Sequence, residues 1–258
     1  MNDIKQHLTH IKNGVKISYL LWLDKKNKIN QNTRYSRRGS LVYGASGAGK
    51  CQLQHYFKSI KADRKDMSFE SLCTTRLGNI IHEDIQSALE HIYDDYRVMC
   101  EIPVDFNLEG KKIRGHLDVA IEIDEDNVML IDIKTLGAYP WQKVYGHLKN
   151  RAKKPQWMYK YQLATYSIGL KKNYQYKNVY MYLLNYKKDN SDMRFVEVDT
   201  DLYEKEVRYY WRQTHSLVTQ LHENPKRIKE LINGPVETWE CKYCDYSDIC
   251  PVKYVKEK

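Results

Sequence analysis

Long hydrophobic runs are absent from this sequence of 258 residues, although 42% of the residues are hydrophobic. No apolar stretch approaches the roughly 20 residues that a membrane-spanning helix requires. The apolar stretch near the start, Ile17 to Leu23, is followed at once by Asp24 and not by small residues. A secretory signal peptide needs a small-residue cleavage site after its apolar core. We therefore expect a soluble protein with a cytoplasmic location.

Glycine and proline are also scarce, with 12 and 6 residues, and no linker rich in them divides the chain. No repeat of fixed period is present, which excludes a solenoid. A single domain over residues 1–258 is the simplest interpretation, with a helical part to about residue 95, a core over about 96–200 and a C-terminal part over about 201–258. Acidic residues are outnumbered by 42 Lys and Arg to 33 Asp and Glu, and the net charge of +9 favours a polyanionic partner.

Hydrophobic periodicity predicts an α/β fold. From Ser68 to Tyr93 the apolar residues recur on one helical face. Alternating apolar residues then predict three strands, over Arg97–Val104, Lys112–Ile123 and Asn127–Lys134. The later segments predict a helix, two strands and a helix, over Trp157–Leu170, Val179–Tyr186, Arg194–Val198 and Leu202–Leu221. This order is typical of a mixed central sheet flanked by helices.

Acidic residues interrupt two neighbouring predicted strands, at Asp118 and at Asp132-Ile-Lys134. Side chains alternate along a strand, so Asp132 and Lys134 point to the same side, and strand pairing could bring Asp118 beside them. Carboxylates that share a site repel each other unless a cation joins them, and hard oxygen ligands suit Mg²⁺ or Mn²⁺. A divalent ion and a lysine beside it would support phosphodiester hydrolysis. The alternative is that these are solvated charges at strand ends.

The acidic strands belong to a longer pattern. It consists of Gly78–His82, Gly115–Asp118, Asp132–Lys134 and Gln162–Tyr166. In order and approximate spacing these segments resemble the RecB-like PD-(D/E)xK nucleases, over a stretch from about Ser46 to Pro251. The triplet is Asp-x-Lys where many relatives have Glu-x-Lys.

The resemblance implies a restriction-endonuclease-like core, DNA as the substrate and Mn²⁺ or Mg²⁺ as cofactor. It implies that the metal ligands are His82, Asp118, Asp132 and the carbonyl of Ile133. It also implies that Lys134 is the catalytic lysine, and that Gln162 and Tyr166, one helical turn apart, face the DNA. Relatives act mainly as exonucleases on single-stranded ends, in CRISPR adaptation, viral DNA metabolism or repair, and some form rings.

Three of the six cysteines lie close together, in the pattern Cys241-x₂-Cys244-x₅-Cys250. Three thiols at this spacing indicate an iron-sulfur or zinc site with a fourth ligand from elsewhere in the chain. Of the remaining cysteines, Cys100 lies in an apolar strand and Cys73 near the start of the long helix. Cys51 follows a glycine-rich loop that could approach such a site, so Cys51 is the favoured fourth ligand.

The cysteine spacing is also similar to that of the CRISPR-associated and AddB-type iron-sulfur exonucleases. That resemblance implies a four-iron four-sulfur cluster bound by Cys51, Cys241, Cys244 and Cys250, which would join the N- and C-terminal segments. Many relatives follow the first cysteine with Pro-Arg, whereas this chain has Gln52-Leu53. Cys73 is the alternative fourth ligand.

Two other functions compete with this interpretation. Gly44–Lys50 spells the phosphate-binding pattern of a P-loop NTPase, but Cys51 stands where that loop needs Ser or Thr to bind Mg²⁺. A non-catalytic iron-sulfur or zinc module that binds nucleic acid is the second alternative. It would use the segment Trp141–Trp157, in which basic and aromatic residues alternate in a way suited to phosphate contact and base stacking.

Overall fold

The computed structural model of this protein describes residues 18–19, 21–23, 25, 42–92, 95–148, 156–231 and 239–252. The strands in these ranges are β1 (Val42–Gly44), β2 (Arg97–Leu108), β3 (Lys111–Glu122), β4 (Asn127–Leu136), β5 (Asn178–Lys187) and β6 (Met193–Val198). The helices are α1 (Gln52–Ser59), α2 (Phe69–Ile92), α3 (Ala138–Val144), α4 (Trp157–Tyr174), α5 (Thr200–Glu223) and α6 (Ile228–Leu231).

The helices and strands predicted between Ser68 and Leu221 are all present, with ends that differ by a few residues. Helices α1 and α3 were not predicted. Both are short, and the buried residues of α1 are nearly consecutive instead of following a helical period. Helix α3 begins the basic segment that was predicted as a loop, and Pro140 lies in its first turn, where proline is tolerated. Residues 149–155 of that segment lie outside the described residues.

The six strands form one mixed sheet in the order β1, β3, β4, β5, β6, with β2 paired to β3. Strand β3 is antiparallel to β2 along its whole length. Strands β4 and β5 are parallel from Asn127↔Asn178 to Leu136↔Lys187. The chain therefore has the expected α/β fold, a mixed central sheet flanked by helices.

Strand β3 carries two partners on the edge opposite β2. Strand β1 pairs with residues 112–114 of β3, and β4 pairs with residues 119–122. The pairing of β3 with β4 ends at Val119↔Ile131, whereas β4 continues beside β5 for five more residues. We call the place where β3 and β4 separate the sheet fork. It lies beside Asp118 of β3 and Asp132 of β4.

Buried side chains form clusters on both faces of the sheet. Leu130 belongs to the larger cluster, with residues of α1, α4 and α5, and its neighbours Ile131 and Ile133 belong to a smaller one. Because side chains alternate along a strand, these clusters lie on opposite faces. The smaller cluster packs against Ile85 and Leu89 of α2. The fork is thus covered by α4 on one side and by the end of α2 on the other.

The chain divides into two compact units, one of residues 1–40 and 66–81 and one of residues 41–65 and 82–258. In the first unit, the ring of Tyr19 stacks on Trp22 at 6.0 Å, and the guanidinium of Arg76 lies 5.9 Å from the centre of the Trp22 ring. The second unit contains the whole sheet. Among the described residues, no helix is long and apolar enough to cross a membrane.

Candidate active site at the sheet fork

Asp118 bridges the sheet fork. Beyond Val119↔Ile131 the N–H of Ile133 has no place in a ladder with β3, and it donates to Asp118 Oδ2 at 2.7 Å. This bond satisfies a backbone donor that would otherwise be left unpaired inside the protein, which is costly. The Asp118 side chain is 13% exposed. The predicted meeting of Asp118 with Asp132-Ile-Lys134 is therefore present.

Helix α2 brings His82 to the same carboxylate. The Nδ1 atom of His82 lies 3.6 Å from Asp118 Oδ2. Burial lowers the pKa of His82, although the negative charge of Asp118 acts in the opposite direction. One turn further on, Gln86 donates to the Asp118 carbonyl at 2.9 Å and to Glu101 Oε1 at 3.1 Å. Sequence analysis missed Gln86, and its place four residues after His82 was the available signal.

Asp132 and Lys134 form a buried ion pair at the other side of the fork. Lys134 Nζ lies 2.8 Å from Asp132 Oδ2, and the Asp132 side chain is 1% exposed. Burial raises the pKa of Asp132, the charge on Lys134 opposes this, and repulsion from Asp118 adds to it. Burial also acts to lower the pKa of Lys134, but attraction to Asp132 and Asp118 outweighs it and the pKa is raised. Lys134 therefore carries a proton and a positive charge at neutral pH.

Residues of helix α4 contact both members of the Asp132–Lys134 ion pair. The Oε1 atom of Gln162 accepts from Lys134 Nζ at 3.3 Å, and its Nε2 atom donates to Asp132 Oδ1 at 3.2 Å. The ring of Tyr159, three residues earlier, lies 5.0 Å from Lys134 Nζ. Sequence analysis did not single out Tyr159, although it shares a helical face with Gln162.

Tyr166 occupies a different position from Gln162. It is 3% exposed, and its hydroxyl lies 3.5 Å from Gln162 Nε2. A Cβ added to Gly115 would lie 2.8 Å from the Tyr166 ring and 2.9 Å from Ala45. Tyr166 is therefore packed over the one position of β3 that has no side chain. Its predicted contact with DNA stays a prediction, and in this structure its hydroxyl contacts Gln162.

Comparison of the sequence with known protein families assigns this chain to a superfamily. Residues 82–251, more than half of the chain, match the PD-(D/E)XK nuclease superfamily. The chain belongs to that superfamily. Membership implies a metal-dependent nuclease that hydrolyses DNA. A search among curated proteins finds no match.

Two solved structures share the fold of this PD-(D/E)XK protein. SSO0001 is 21% identical, covers 93% of this chain and 97% of its own, and superposes with a TM-score of 0.61. A protein from Eubacterium rectale, described as a putative exonuclease, is 18% identical, covers 87% of this chain and 92% of its own, and has a TM-score of 0.50. At these identities the likeness establishes the fold and leaves the more specific CRISPR-associated or AddB-type assignment open.

The donor set at the fork suits Mg²⁺ or Mn²⁺ by its chemistry. Two carboxylates and an imidazole share the site with one ammonium, so negative charge is only partly compensated. In their present arrangement, however, no three His, Cys, Asp or Glu side chains of the described residues surround a single ion. The two carboxylates are held instead by Ile133 N–H and by Lys134.

Four of the six cysteines line one cavity, which we call the cysteine cavity. Its lining residues are Cys51, Leu53, Gln54, Phe57, Glu240, Cys241, Cys244, Ser247 and Cys250. Burial raises the pKa of Cys51 to about 12 and also raises that of Cys244. Cys100 lies elsewhere, on β2 beside the smaller core cluster. No three of these thiols are spaced around a single ion within the described residues, so the iron-sulfur cluster stays a prediction.

The segment Gly44–Lys50 is packed as a structural turn. The Ala48 and Lys50 N–H groups donate to the carbonyls of Ala45 and Gly47, so they do not point outward as a phosphate-binding loop requires. Tyr210 Oη donates to the Lys50 carbonyl at 2.8 Å. Gly49, at φ +78°, packs against the start of α4. This geometry and the family match favour the nuclease over the P-loop NTPase.

Proposed function

We propose that this protein is a Mg²⁺- or Mn²⁺-dependent deoxyribonuclease that acts as an exonuclease on single-stranded DNA ends. The observation that carries the proposal is the convergence of His82, Asp118, Asp132 and Lys134 at the sheet fork, within a chain of the PD-(D/E)XK superfamily. The net charge of +9 suits a polyanionic substrate. Three further points belong to the same proposal. They are assignment to the CRISPR-associated or AddB-type group, a cytoplasmic location and the formation of oligomers.

The metal would be held by His82, Asp118, Asp132 and the carbonyl of Ile133. When bound, it would lower the pKa of a water molecule and neutralise charge that develops on the phosphate. Lys134 is the side chain that would act beside the metal. Lys134 keeps its proton because of Asp132, so it offers a positive charge and a hydrogen bond to a phosphate oxygen or to the attacking water.

Gln162 fixes this lysine from the opposite side. Its amide oxygen accepts from Lys134 and its amide nitrogen donates to Asp132, so one side chain sets the spacing of the ion pair. Tyr166 in turn holds Gln162 from the core. A catalytic lysine that is oriented before the substrate binds loses less entropy in the reaction.

We further propose that Cys51, Cys241, Cys244 and Cys250 bind a four-iron four-sulfur cluster. The support is that the four thiols line one cavity although Cys51 is distant in sequence from the other three. Each thiolate of such a cluster binds a different iron, so the four sulfurs need not surround one ion. The cluster would act as a structural link between the start of the second unit and its C-terminal segment.

Cleavage of end-labelled DNA by wild type and Lys134→Ala tests the nuclease proposal. The protein is purified anaerobically and incubated with single- and double-stranded substrates and Mn²⁺ or Mg²⁺. We expect Lys134→Ala to reduce cleavage about 10³-fold, because a positive charge aimed at the reacting phosphate is lost. Lys177→Ala is the matched control. Lys177 is also paired with an aspartate, Asp126 at 2.7 Å, but it is 71% exposed.

Because Lys134→Ala leaves Asp132 buried without its partner, it could also weaken the fold. Asp132→Asn, which keeps the shape and removes the charge, is therefore assayed beside it, with the melting temperature of each variant. A folded Lys134→Ala or Asp132→Asn protein that cleaves like wild type would overturn the proposal. Retained binding without cleavage in Asp132→Asn separates the nuclease from a binding module. Resistance of circular single-stranded DNA is expected for an exonuclease.

A further inference from the structure

Lys134 is the first residue of a row of directly opposite residues on three neighbouring strands of the sheet. Lys134 of β4 is opposite Asn185 of β5, and Asn185 is opposite Arg194 of β6. Residues directly opposite each other point to the same side of a sheet. Neighbouring strands are about 4.8 Å apart, so the Arg194 backbone lies about 10 Å from that of Lys134. The row therefore places a second cation on the face that carries the candidate active site.

Arg194 is held in place by aromatic rings. Its guanidinium carbon lies 5.3 Å from the centre of the Trp141 ring and 5.0 Å from that of Tyr145, and these two rings contact each other at 4.5 Å. Arginine stacks well on aromatic faces, and a stacked guanidinium keeps N–H donors at its edge. The side chain is thus ordered and still 49% exposed.

The aromatic support is tied to the fork through Asn185. This residue is fully buried, and its Nδ2 atom donates to Tyr145 Oη at 2.6 Å. Its Oδ1 atom accepts from Gln156 Nε2 at 2.6 Å, and Gln156 immediately precedes α4, the helix that carries Gln162. The position of Arg194 and the position of the α4 residues around Lys134 are therefore set by the same buried amide.

The present partner of Arg194 is one that a phosphate could replace. Arg194 Nη2 lies 3.2 Å from Asp192 Oδ2, and both side chains are at least a third exposed. An exposed ion pair of this kind contributes little to stability, whereas Arg donates to phosphate with paired, charge-assisted bonds. Exchange of Asp192 for a phosphate oxygen therefore costs little.

We propose that Arg194, supported by Trp141 and Tyr145, is a phosphate-binding subsite for the nucleic-acid strand whose scissile phosphate lies at Lys134. The inference rests on the proposed nuclease function and adds to it a second phosphate contact, on the β6 side of the candidate active site. A phosphodiester near the scissile one along the same strand would reach Arg194.

Equilibrium binding tests this subsite without hydrolysis. Fluorescence anisotropy of a labelled single-stranded oligonucleotide is measured in EDTA over a series of salt concentrations. We expect Arg194→Ala to bind about tenfold more weakly, and the slope of log K against log salt to fall by about one, because one phosphate contact is lost. Arg194→Lys keeps the charge without the planar, stacked donor and should lie between the two.

Arg212→Ala is the matched control. Arg212 on α5 is 62% exposed and paired with Glu109 at 3.1 Å, so the variant changes the net charge and breaks an exposed ion pair in the same way. Glu109 lies in the turn that precedes β3, about 20 Å along that strand from Asp118. Arg212→Ala should bind like wild type, and the melting temperatures of all variants should agree within a few degrees.

Equal affinity and equal salt slope of Arg194→Ala and Arg212→Ala would overturn the subsite. Absence of oligonucleotide binding by wild type would overturn it as well. Cleavage is measured separately with Mn²⁺ or Mg²⁺, so the two proposals fail independently. If the protein cleaves DNA and Arg194→Ala has no effect on oligonucleotide binding, the nuclease proposal stands and the subsite proposal is wrong. If the protein binds the oligonucleotide through Arg194 but does not cleave DNA, the phosphate contact stands and the nuclease proposal is wrong.

Discussion

The sheet fork and the cysteine cavity both gather polar or ionisable side chains, but they are held together in different ways. At the fork, Asp118 is bound to Ile133 N–H, and Asp132 to Lys134 and Gln162, so strand register fixes the site. The cysteine cavity is formed by Cys51 before a short helix and by three thiols in a segment of turns. Strand pairing preorganises the fork, whereas the cysteines of the cavity lie in turns and just before a helix, where no strand register fixes them.

The segment that connects these two centres begins at β1. Ala45 lies against Gly115 near the fork, and Cys51, a few residues later, lines the cavity. His55 Nε2 lies 3.0 Å from the Gly47 carbonyl and 2.9 Å from Tyr210 Oη. Tyr210 belongs to α5, so this helix holds the segment through His55. Changes at the fork, at the cavity and in the segment between them should therefore have separable effects.

The largest effect on folding is expected at the cavity. Cys244→Ala removes one of the proposed cluster ligands, and with it a link between distant parts of the chain. We expect loss of iron and of visible absorption, lower solubility, and a free energy of unfolding lower by about 3 kcal/mol, since the link restricts the unfolded chain. Metal analysis, visible spectra and denaturant unfolding measure this.

Cys100→Ala is the control for that prediction, because Cys100 is a partly buried thiol on β2, away from the cavity. It should keep its iron and lose only a modest part of its stability. A soluble, iron-free Cys244→Ala protein with full activity would show that the four thiols do not hold a structural cluster.

A smaller effect is expected from overpacking at the fork. In Gly115→Ala the new methyl group would lie 2.8 Å from the Tyr166 ring and 2.9 Å from the Ala45 Cβ, so one of them must move. We expect the free energy of unfolding to fall by about 2 kcal/mol, as for other overpacked cores, and cleavage to fall with it because Tyr166 holds Gln162. Thermal unfolding and the cleavage assay measure the two effects.

Gly137 provides the comparison for Gly115, because a Cβ added there meets no heavy atom within 4 Å. Gly137→Ala, just after β4, should therefore leave stability and cleavage close to wild type. If the two alanine variants behave alike, the close approach of Tyr166 to β3 is not what positions Gln162.

The smallest effect is expected from the segment between the two centres, and it depends on pH. Burial lowers the pKa of His55 to about 3, whereas an unfolded histidine titrates near 6.5. Below pH 6.5 the unfolded chain therefore binds a proton that the folded chain does not, and stability falls as the pH falls. Between pH 7 and pH 5 the loss due to His55 should be about 1–2 kcal/mol.

His55→Gln should flatten this part of the stability profile, measured by urea unfolding at several pH values. It is expected to be somewhat less stable at pH 7, because ring contacts with Tyr43 and Trp211 are lost. An unaltered acid slope in His55→Gln would show that other groups cause the loss.

Much of the fork was predictable because its parts are local patterns. Asp132 and Lys134 share a side of one strand, and the turn at Asp124–Asn127 sets β3 beside β4, so the approach of Asp118 followed from alternation. Burial of Tyr166 was not predictable, since it depends on Gly115 and Ala45 from other elements. The cross-strand row from Lys134 to Arg194 likewise depends on strand order, which periodicity does not encode.

By itself the sequence determined the elements of the core and the residues proposed for hydrolysis and for a cysteine-bound cofactor, because hydrophobic period and residue chemistry are local properties. The tertiary structure alone decided that β4 leaves β3 at Asp118, that Asn185 lies between Lys134 and Arg194 in one cross-strand row, and that Gly44–Lys50 is a packed turn. These features are set by register and close packing between segments distant in the chain, where each position depends on partners that no single stretch of sequence contains.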